Sequence, residues 1–223
     1  MTSAPSIEFR TLVSETVAMM RRNWVLVAAY IAITGLVDAL TRNAGDEGGG
    51  LLLSMMAEAV VGYVLLVKIM TRERLRTVSS MRAGVTAYVG VSILAGLGIL
   101  AGLVLVVVPG LILMARWFVA IPIALNGTHS TSMAMGESWR ATRGSQGALS
   151  GFCAVTILAI VSVAGAGQVL IAVSEGSAGT SISAVNLTDI ILTQVITAIM
   201  TVAPVAGFRT LVTSSGTLTD VFA

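Results

Sequence analysis

The sequence predicts an all-α integral membrane protein: six transmembrane helices with three short amphipathic helices at the cytosolic surface. Three observations carry this. Of 223 residues, 56% are hydrophobic and 11% charged, with a mean hydropathy of +0.93, whereas a soluble domain carries about 25% charged residues. The apolar runs are too long for core helices of a soluble domain. The basic residues also fall almost wholly on one side of a six-span chain, as the positive-inside rule requires.

The elements follow in chain order. Residues 7–22 place Phe9, Leu12, Val13, Val17 and Met20 on one helical face and Arg10, Ser14, Glu15, Arg21 and Arg22 toward the other. This is the pattern of a helix lying in the membrane interface. The first span is 23–40, read as a retained anchor because no small-residue cleavage site follows it. Residues 41–49, with Gly45, Asp46, Glu47, Gly48 and Gly49, have a turn composition. The second span is 50–70. Residues 71–82 form the second interfacial helix, with Leu75, Val78 and Met81 as its apolar row, and 84–108 the third span. Pro109-Gly110 is expected to break the chain. The fourth span, 111–125, is roughly 25 Å long at about 1.5 Å per residue, with Pro122 as an expected kink. Residues 131–143 are the third interfacial helix. The fifth and sixth spans are 147–173 and 185–208, joined by a Gly/Ser loop at 174–184.

With the N-terminus in the cytoplasm, eleven basic residues fall inside: Arg10, Arg21, Arg22, Lys68, Arg72, Arg74, Arg76, Arg82, Arg140, Arg143 and Arg209. Arg42 alone falls outside, and Arg116 lies within a span. Both termini are then cytoplasmic. Arg21, Arg82 and Arg143 recur at a 61-residue interval, preceded in the same register by Glu15, Arg76 and Glu137, then Thr16, Thr77 and Ser138. This suggests one module, an interfacial helix plus a membrane hairpin, used three times in parallel orientation.

Several chemistries find no support. The chain has one cysteine, Cys153, and one histidine, His129. No disulfide framework, metal centre or cofactor is expected. A Ser-His-Asp triad would have to use His129, on a loop far from every buried acid. Gly48-Gly49-Gly50 lacks the strand and Lys-Ser/Thr ending of a phosphate loop. The basic residues hug the membrane surface, which fits anionic headgroups better than nucleic acid.

Residues 108–151 carry a resemblance. They read Pro109-Gly110-Leu111-Ile112-Leu113-Met114-Ala115-Arg116-Trp117-Phe118, then Pro122, then Ala134-Met135-Gly136-Glu137-Ser138-Trp139, then Thr142-Arg143-Gly144. This resembles the membrane domain that precedes the catalytic barrel in some bacterial glycerophosphodiester phosphodiesterases, and the stand-alone inner-membrane relatives of that domain. Many relatives carry Glu where Asn126 stands and Arg where Glu137 stands. The resemblance implies a six-span protein of the bacterial inner membrane. It does not imply phosphodiesterase activity, since the barrel is expected to be missing: it needs roughly 200 residues or more.

Ionisable groups within spans mark candidate sites. Here they are Asp38, Glu58, Arg116 and Asp189, all placed toward the outer half. Glu58, roughly 12 Å deep, and Arg116, roughly 9 Å deep by helical rise, form the candidate ion pair. It reads either as a structural pair or as an arginine facing a lipid phosphate with Glu58 orienting it. The sixth span presents Asp189, Thr193, Thr197 and Thr201 at every fourth position, with Gln194 beside them. That stripe fits interhelical hydrogen bonding or the wall of a hydrated path. Gly98 and Gly102, like Gly147 and Gly151, suit close helix packing. Arg21, Arg72, Arg74, Arg76, Arg82 and Arg143 are candidate headgroup contacts. The expected function is non-enzymatic: a membrane protein engaging lipid, a protein partner or a second copy of itself. A small transporter or channel built on the buried charges is the alternative.

Overall fold

The structure is a computed structural model that describes residues 7–43, 47–75, 81–105, 107–126, 130–174 and 182–214. Helices dominate these residues, and no strand occurs among them. They are α1 (Phe9–Arg22), α2 (Trp24–Asn43), α3 (Glu47–Arg72), α4 (Met81–Leu105), α5 (Val107–Arg116), α6 (Ala120–Asn126), α7 (Thr131–Ala141), α8 (Gln146–Ser174) and α9 (Ile182–Ser214), with a 3₁₀ turn at Arg143–Ser145. Six segments are long and apolar enough to cross a membrane: Trp24–Arg42, Leu52–Arg72, Gly84–Gly102, Val108–Asn126, Arg143–Gly167 and Leu187–Thr213. The chain is a multi-pass membrane protein by this criterion. Its outward faces are correspondingly apolar, with Leu36, Leu40, Met56, Leu97, Leu158 and Val161 all exposed.

The chain divides into two compact units. Unit one is Met1–Arg22, Leu66–Ala154 and Val202–Ala223; unit two is Asn23–Leu65 and Val155–Thr201. Most fully buried large side chains belong to unit one, among them Leu12, Met19, Ile69, Met70, Leu149 and Phe208. Within it α4 packs along α5 and α6, and α7 packs against α4, α5 and α6. Two glycines permit the α4–α5 approach. A Cβ on Gly102 would lie 2.9 Å from Gly110 Cα, and one on Gly98 would lie 2.5 Å from Trp117 Cζ3. Gly147 and Gly151 are different: a Cβ on either would meet nothing within 4 Å, so the sequence pattern alone does not separate the two pairs.

Several expected boundaries shift, each for a local reason. Asn23 is not the start of the first span but the residue between α1 and α2. Its carbonyl accepts from the N–H groups of Leu26 (2.9 Å) and Val27 (3.1 Å), which opens α2 as an N-cap residue does. The 41–49 loop is shorter than its glycines suggest, because α2 runs to Asn43 and α3 begins at Glu47. Gly50 is used for contact, its Cβ position lying 3.2 Å from Thr41 Cβ.

Of the residues expected to form the interfacial helix at 71–82, the described ones fall to other elements at both ends, with Met81 and Arg82 opening α4. Thr71 and Arg72 end α3, and residues 76–80 lie outside the described residues. The helix stops because Arg74 takes the left-handed conformation (φ 55°). Leu75 N–H then bonds the Met70 carbonyl at 2.8 Å and Arg74 N–H the Thr71 carbonyl at 3.3 Å. This is a Schellman ending, in which glycine usually holds the left-handed position. Leu75 and Met70, the two positions whose apolar side chains accompany such an ending, are both buried.

Pro109 does not break the chain where expected either. It lies in the first turn of α5, where a missing N–H costs no intrahelical bond. α4 is described as far as Leu105, and residue 106 lies outside the described residues. The fourth span is interrupted instead at Trp117–Val119. Pro122 explains the position, since its ring clashes with the carbonyl four residues back, that of Phe118, and gives it no N–H. Half of the Val108–Asn126 segment is buried, against 11% for Gly84–Gly102. That matters because irregular backbone in a membrane protein is tolerated where protein surrounds it. Pro204, by contrast, lies within a single continuous α9.

One regularity bears on the expected repeat. α1 and α7 begin 122 residues apart, as do α2 and α8, and 122 is twice the 61-residue interval. Six buried pairs share this offset: Leu12 and Ala134, Thr16 and Ser138, Asn23 and Ser145, Val27 and Leu149, Tyr30 and Phe152, Thr34 and Thr156. The middle copy has no matching short helix among the described residues.

Candidate functional site

The interruption of the fourth span creates the most elaborate polar site in unit one. α5 ends at Arg116, whose carbonyl is left without a helical donor. Ser138 Oγ on α7 donates to it at 2.8 Å. The Thr142 hydroxyl is shared between the carbonyls of Ser138 (2.7 Å) and Arg116 (3.2 Å). Both hydroxyl residues are fully buried. The Arg116 side chain extends along the same elements. Its Nη2 donates to Gln146 Oε1 at 2.7 Å, and Nη1 lies 3.4 Å from the Trp139 carbonyl. The guanidinium carbon stands 5.1 Å from the centre of the Trp139 ring, a cation–π placement. Trp139 in turn meets Trp117 with ring centres 6.5 Å apart, and Trp117 rests over Gly98. Thus Arg116, Ser138, Trp139 and Thr142, separated by up to 26 residues, form one cluster.

A second cluster in unit one was not legible in the sequence. Glu73, just past α3, accepts from Arg209 Nη1 at 2.8 Å and pairs with Arg22 Nε at 3.5 Å. Glu15 pairs with Arg22 at 3.5 Å and Arg209 at 3.9 Å. Two carboxylates and two guanidinia thereby tie α1, the end of α3 and the end of α9 together. The partners are far apart in sequence, and only helical spacing between Glu15 and Arg22 hinted at any of it.

Unit two holds a polar seam between α2, α3 and α9. Arg42 bridges two carboxylates, Asp38 at 3.2 Å and Asp189 at 3.0 Å. Asp189 Oδ1 is buried without a hydrogen-bond partner. It sits against Gly167, where a Cβ would lie 3.0 Å away. Thr34 pairs with Gln194 at 2.9 Å, Thr41 with Ser54 at 3.0 Å, and Tyr30 OH donates to Glu58 at 3.5 Å. The threonine stripe is largely self-satisfied: Thr197 bonds the Thr193 carbonyl at 3.0 Å and Thr201 the Thr197 carbonyl at 2.9 Å.

The sequence-predicted residues therefore separate. Asp38 and Asp189 are brought together, by Arg42, a residue assigned only to an outer loop. Glu58 and Arg116, expected as an ion pair, belong to different units and have other partners. Arg116 packs against α7 and the start of α8. Thr193 contributes a carbonyl to the stripe. Arg21, Arg72, Arg74 and Arg143 are exposed, and Arg82 lies in the first turn of α4. Arg76 lies outside the described residues, as does His129.

No family model, curated protein or solved structure matches this chain. Its own geometry therefore carries the functional reading. Among the described residues no three metal-ligating side chains gather. The hydroxyls beside Arg116 are committed to backbone carbonyls, so the cluster offers a fixed cation on an aromatic face and no activated nucleophile.

Proposed function

We propose that this is a non-enzymatic, six-span protein of the bacterial inner membrane, both termini cytoplasmic, that engages anionic lipid and so supports envelope homeostasis or a partner complex. The observation that carries this is the division of charge. Unit one holds twelve of the thirteen basic residues and five of the eleven acidic ones, a formal net of +7; unit two holds the remaining one and six, a net of −5. An excess of Lys and Arg marks the cytoplasmic side. There each basic residue near an anionic surface contributes about 1 kcal/mol of attraction. α1 and α7 are then the interfacial helices. The recurrence of their starts and buried positions supports a repeated module that relates the first and third copies. The likeness of residues 108–151 to the phosphodiesterase-associated membrane domain points the same way.

The test is lipid retention after gentle extraction. Arg72→Gln, Arg74→Gln and Arg76→Gln together should lower phosphatidylglycerol enrichment over phosphatidylethanolamine, and added salt should do the same to the parent protein. Unchanged enrichment in the triple variant would remove this reading. A second reading, a small transporter, rests on the unpartnered Asp189 oxygen in the unit-two seam. It requires ion or solute flux in liposomes that Asp189→Asn or Glu58→Gln abolishes.

A further inference from the structure

We propose that the Arg116 corner is a specific site for the phosphodiester of one anionic phospholipid, distinct from the diffuse attraction of the surface arginines. The proposal rests on the lipid-engaging reading and adds a discrete ligand and the residues that hold it.

The first point is uncompensated charge. Arg116 has five N–H donors, and its acceptors are a neutral amide and a neutral carbonyl. Among the described residues it makes no ion pair with a carboxylate. Other arginines in the chain differ: Arg22, Arg42 and Arg209 each pair with two acids. A guanidinium at the end of an apolar helix is costly without a counter-charge. The Nε atom is buried and has no acceptor, the side chain as a whole is only partly buried, and Nη1 and Nη2 each keep a second N–H for an incoming anion.

The second point is preorganisation. The Arg116 backbone is clamped by Ser138 and Thr142, and its side chain by Gln146 and the Trp139 face. Little rotamer freedom remains to be lost on binding. A planar fork of fixed orientation suits a phosphate, which can accept two parallel N–H bonds. Trp139 is partly exposed, as expected for an indole at the headgroup level with acyl chains beside it. Exposed Arg140 follows Trp139 directly, and exposed Arg143 lies in the 3₁₀ turn that leads to Gln146. Their charges add positive potential along α7 and the turn after it.

The ligand chemistry is a phosphate oxyanion, and a phospholipid is the favoured source because the cation lies on the Trp139 face at the end of apolar α5, with Trp117 against Trp139. The experiment uses the full chain in nanodiscs of equal parts phosphatidylglycerol and phosphatidylcholine, released for native mass spectrometry. One phosphatidylglycerol should survive activation that strips the others. Arg116→Gln should reduce its retention about tenfold, the loss of one charge-assisted contact. Arg116→Lys should retain it partially, since the charge remains and the fork does not, and it guards against a folding defect. Trp139→Leu should weaken it less than Arg116→Gln. The Arg72, Arg74 and Arg76 triple variant should keep the single bound lipid while losing general enrichment. Equal retention in the parent and Arg116→Gln overturns the site and leaves the broader reading standing. Absence of any phosphatidylglycerol preference overturns both. Inorganic phosphate that displaces the lipid at millimolar concentration would overturn the lipid assignment in favour of a free anion.

Discussion

Arg74 shows how one residue can serve two ends. It holds the left-handed position of the α3 ending at φ 55°, where glycine is favoured. A side chain there costs about 1 kcal/mol. Arg74→Gly should raise thermal stability in detergent by no more than about 0.5 kcal/mol, after allowing for the extra freedom of unfolded glycine, while reducing anionic-lipid enrichment. A fall in stability would contradict the assignment. Arg42 is the converse case, a cation that two acids need. Arg42→Gln leaves Asp38 and Asp189 with no cation between them. Because the Arg42 side chain is 42% exposed, the expected loss is about 1–2 kcal/mol rather than the larger cost of a fully buried pair. Adding Asp189→Asn should restore part of it, a coupling read by a double-mutant cycle of melting temperatures. Ser138→Ala should cost a further kind of contact, about 1–2 kcal/mol, since the buried Arg116 carbonyl keeps only the longer bond from Thr142. Asp38 and Arg42 stand at i,i+4 spacing, but the other pairings were illegible in the sequence because each joins residues 22 to 147 positions apart, with no periodicity to relate them. The sequence marked Asp38, Asp189 and Arg116 as costly residues in spans. It could not say which neighbour would compensate each.

Helices are where the sequence was most and least informative. Hydropathy runs located all six apolar segments, because a span requires length and composition and little else. The interruption at Trp117–Val119 escaped notice because Pro122 reads as a kink at its own position, whereas its steric effect falls on the turn before it. The 71–82 helix was expected from the row Leu75, Val78 and Met81. Arg74 ends α3 within that stretch by a conformation that an arginine does not advertise, and Val78 lies outside the described residues. Gly98 and Gly102 were correctly singled out for close packing, yet Gly147 and Gly151 share the motif and meet nothing. Gly98→Ala offers an element-level check. Its methyl would lie 2.5 Å from Trp117 Cζ3 and 2.7 Å from Cη2, so the α4–α5 hairpin must open or the indole must turn. We expect a cost of about 1–3 kcal/mol and a shifted tryptophan emission, whereas Gly147→Ala should be nearly silent in both. Equal effects would show that the hairpin does not depend on that contact.

Across the molecule, charge and burial are partitioned together. Unit one carries nearly all the basic residues and most of the large buried side chains, and it contains both the Arg116 corner and the Glu15, Arg22, Glu73 and Arg209 network. A folded basic surface beside anionic lipid is the simplest account of that combination, and it makes orientation the central claim. The direct measurement is thiol accessibility in intact cells, in a Cys153→Ala background that removes the native thiol. A cysteine introduced by Asn43→Cys, at the end of α2, should react with a membrane-impermeant reagent added outside. One introduced by Arg143→Cys, in the 3₁₀ turn, should react only after the membrane is permeabilised. Reaction of Arg143→Cys in intact cells, with Asn43→Cys protected, would place the basic unit away from the anionic cytoplasmic leaflet and contradict the account.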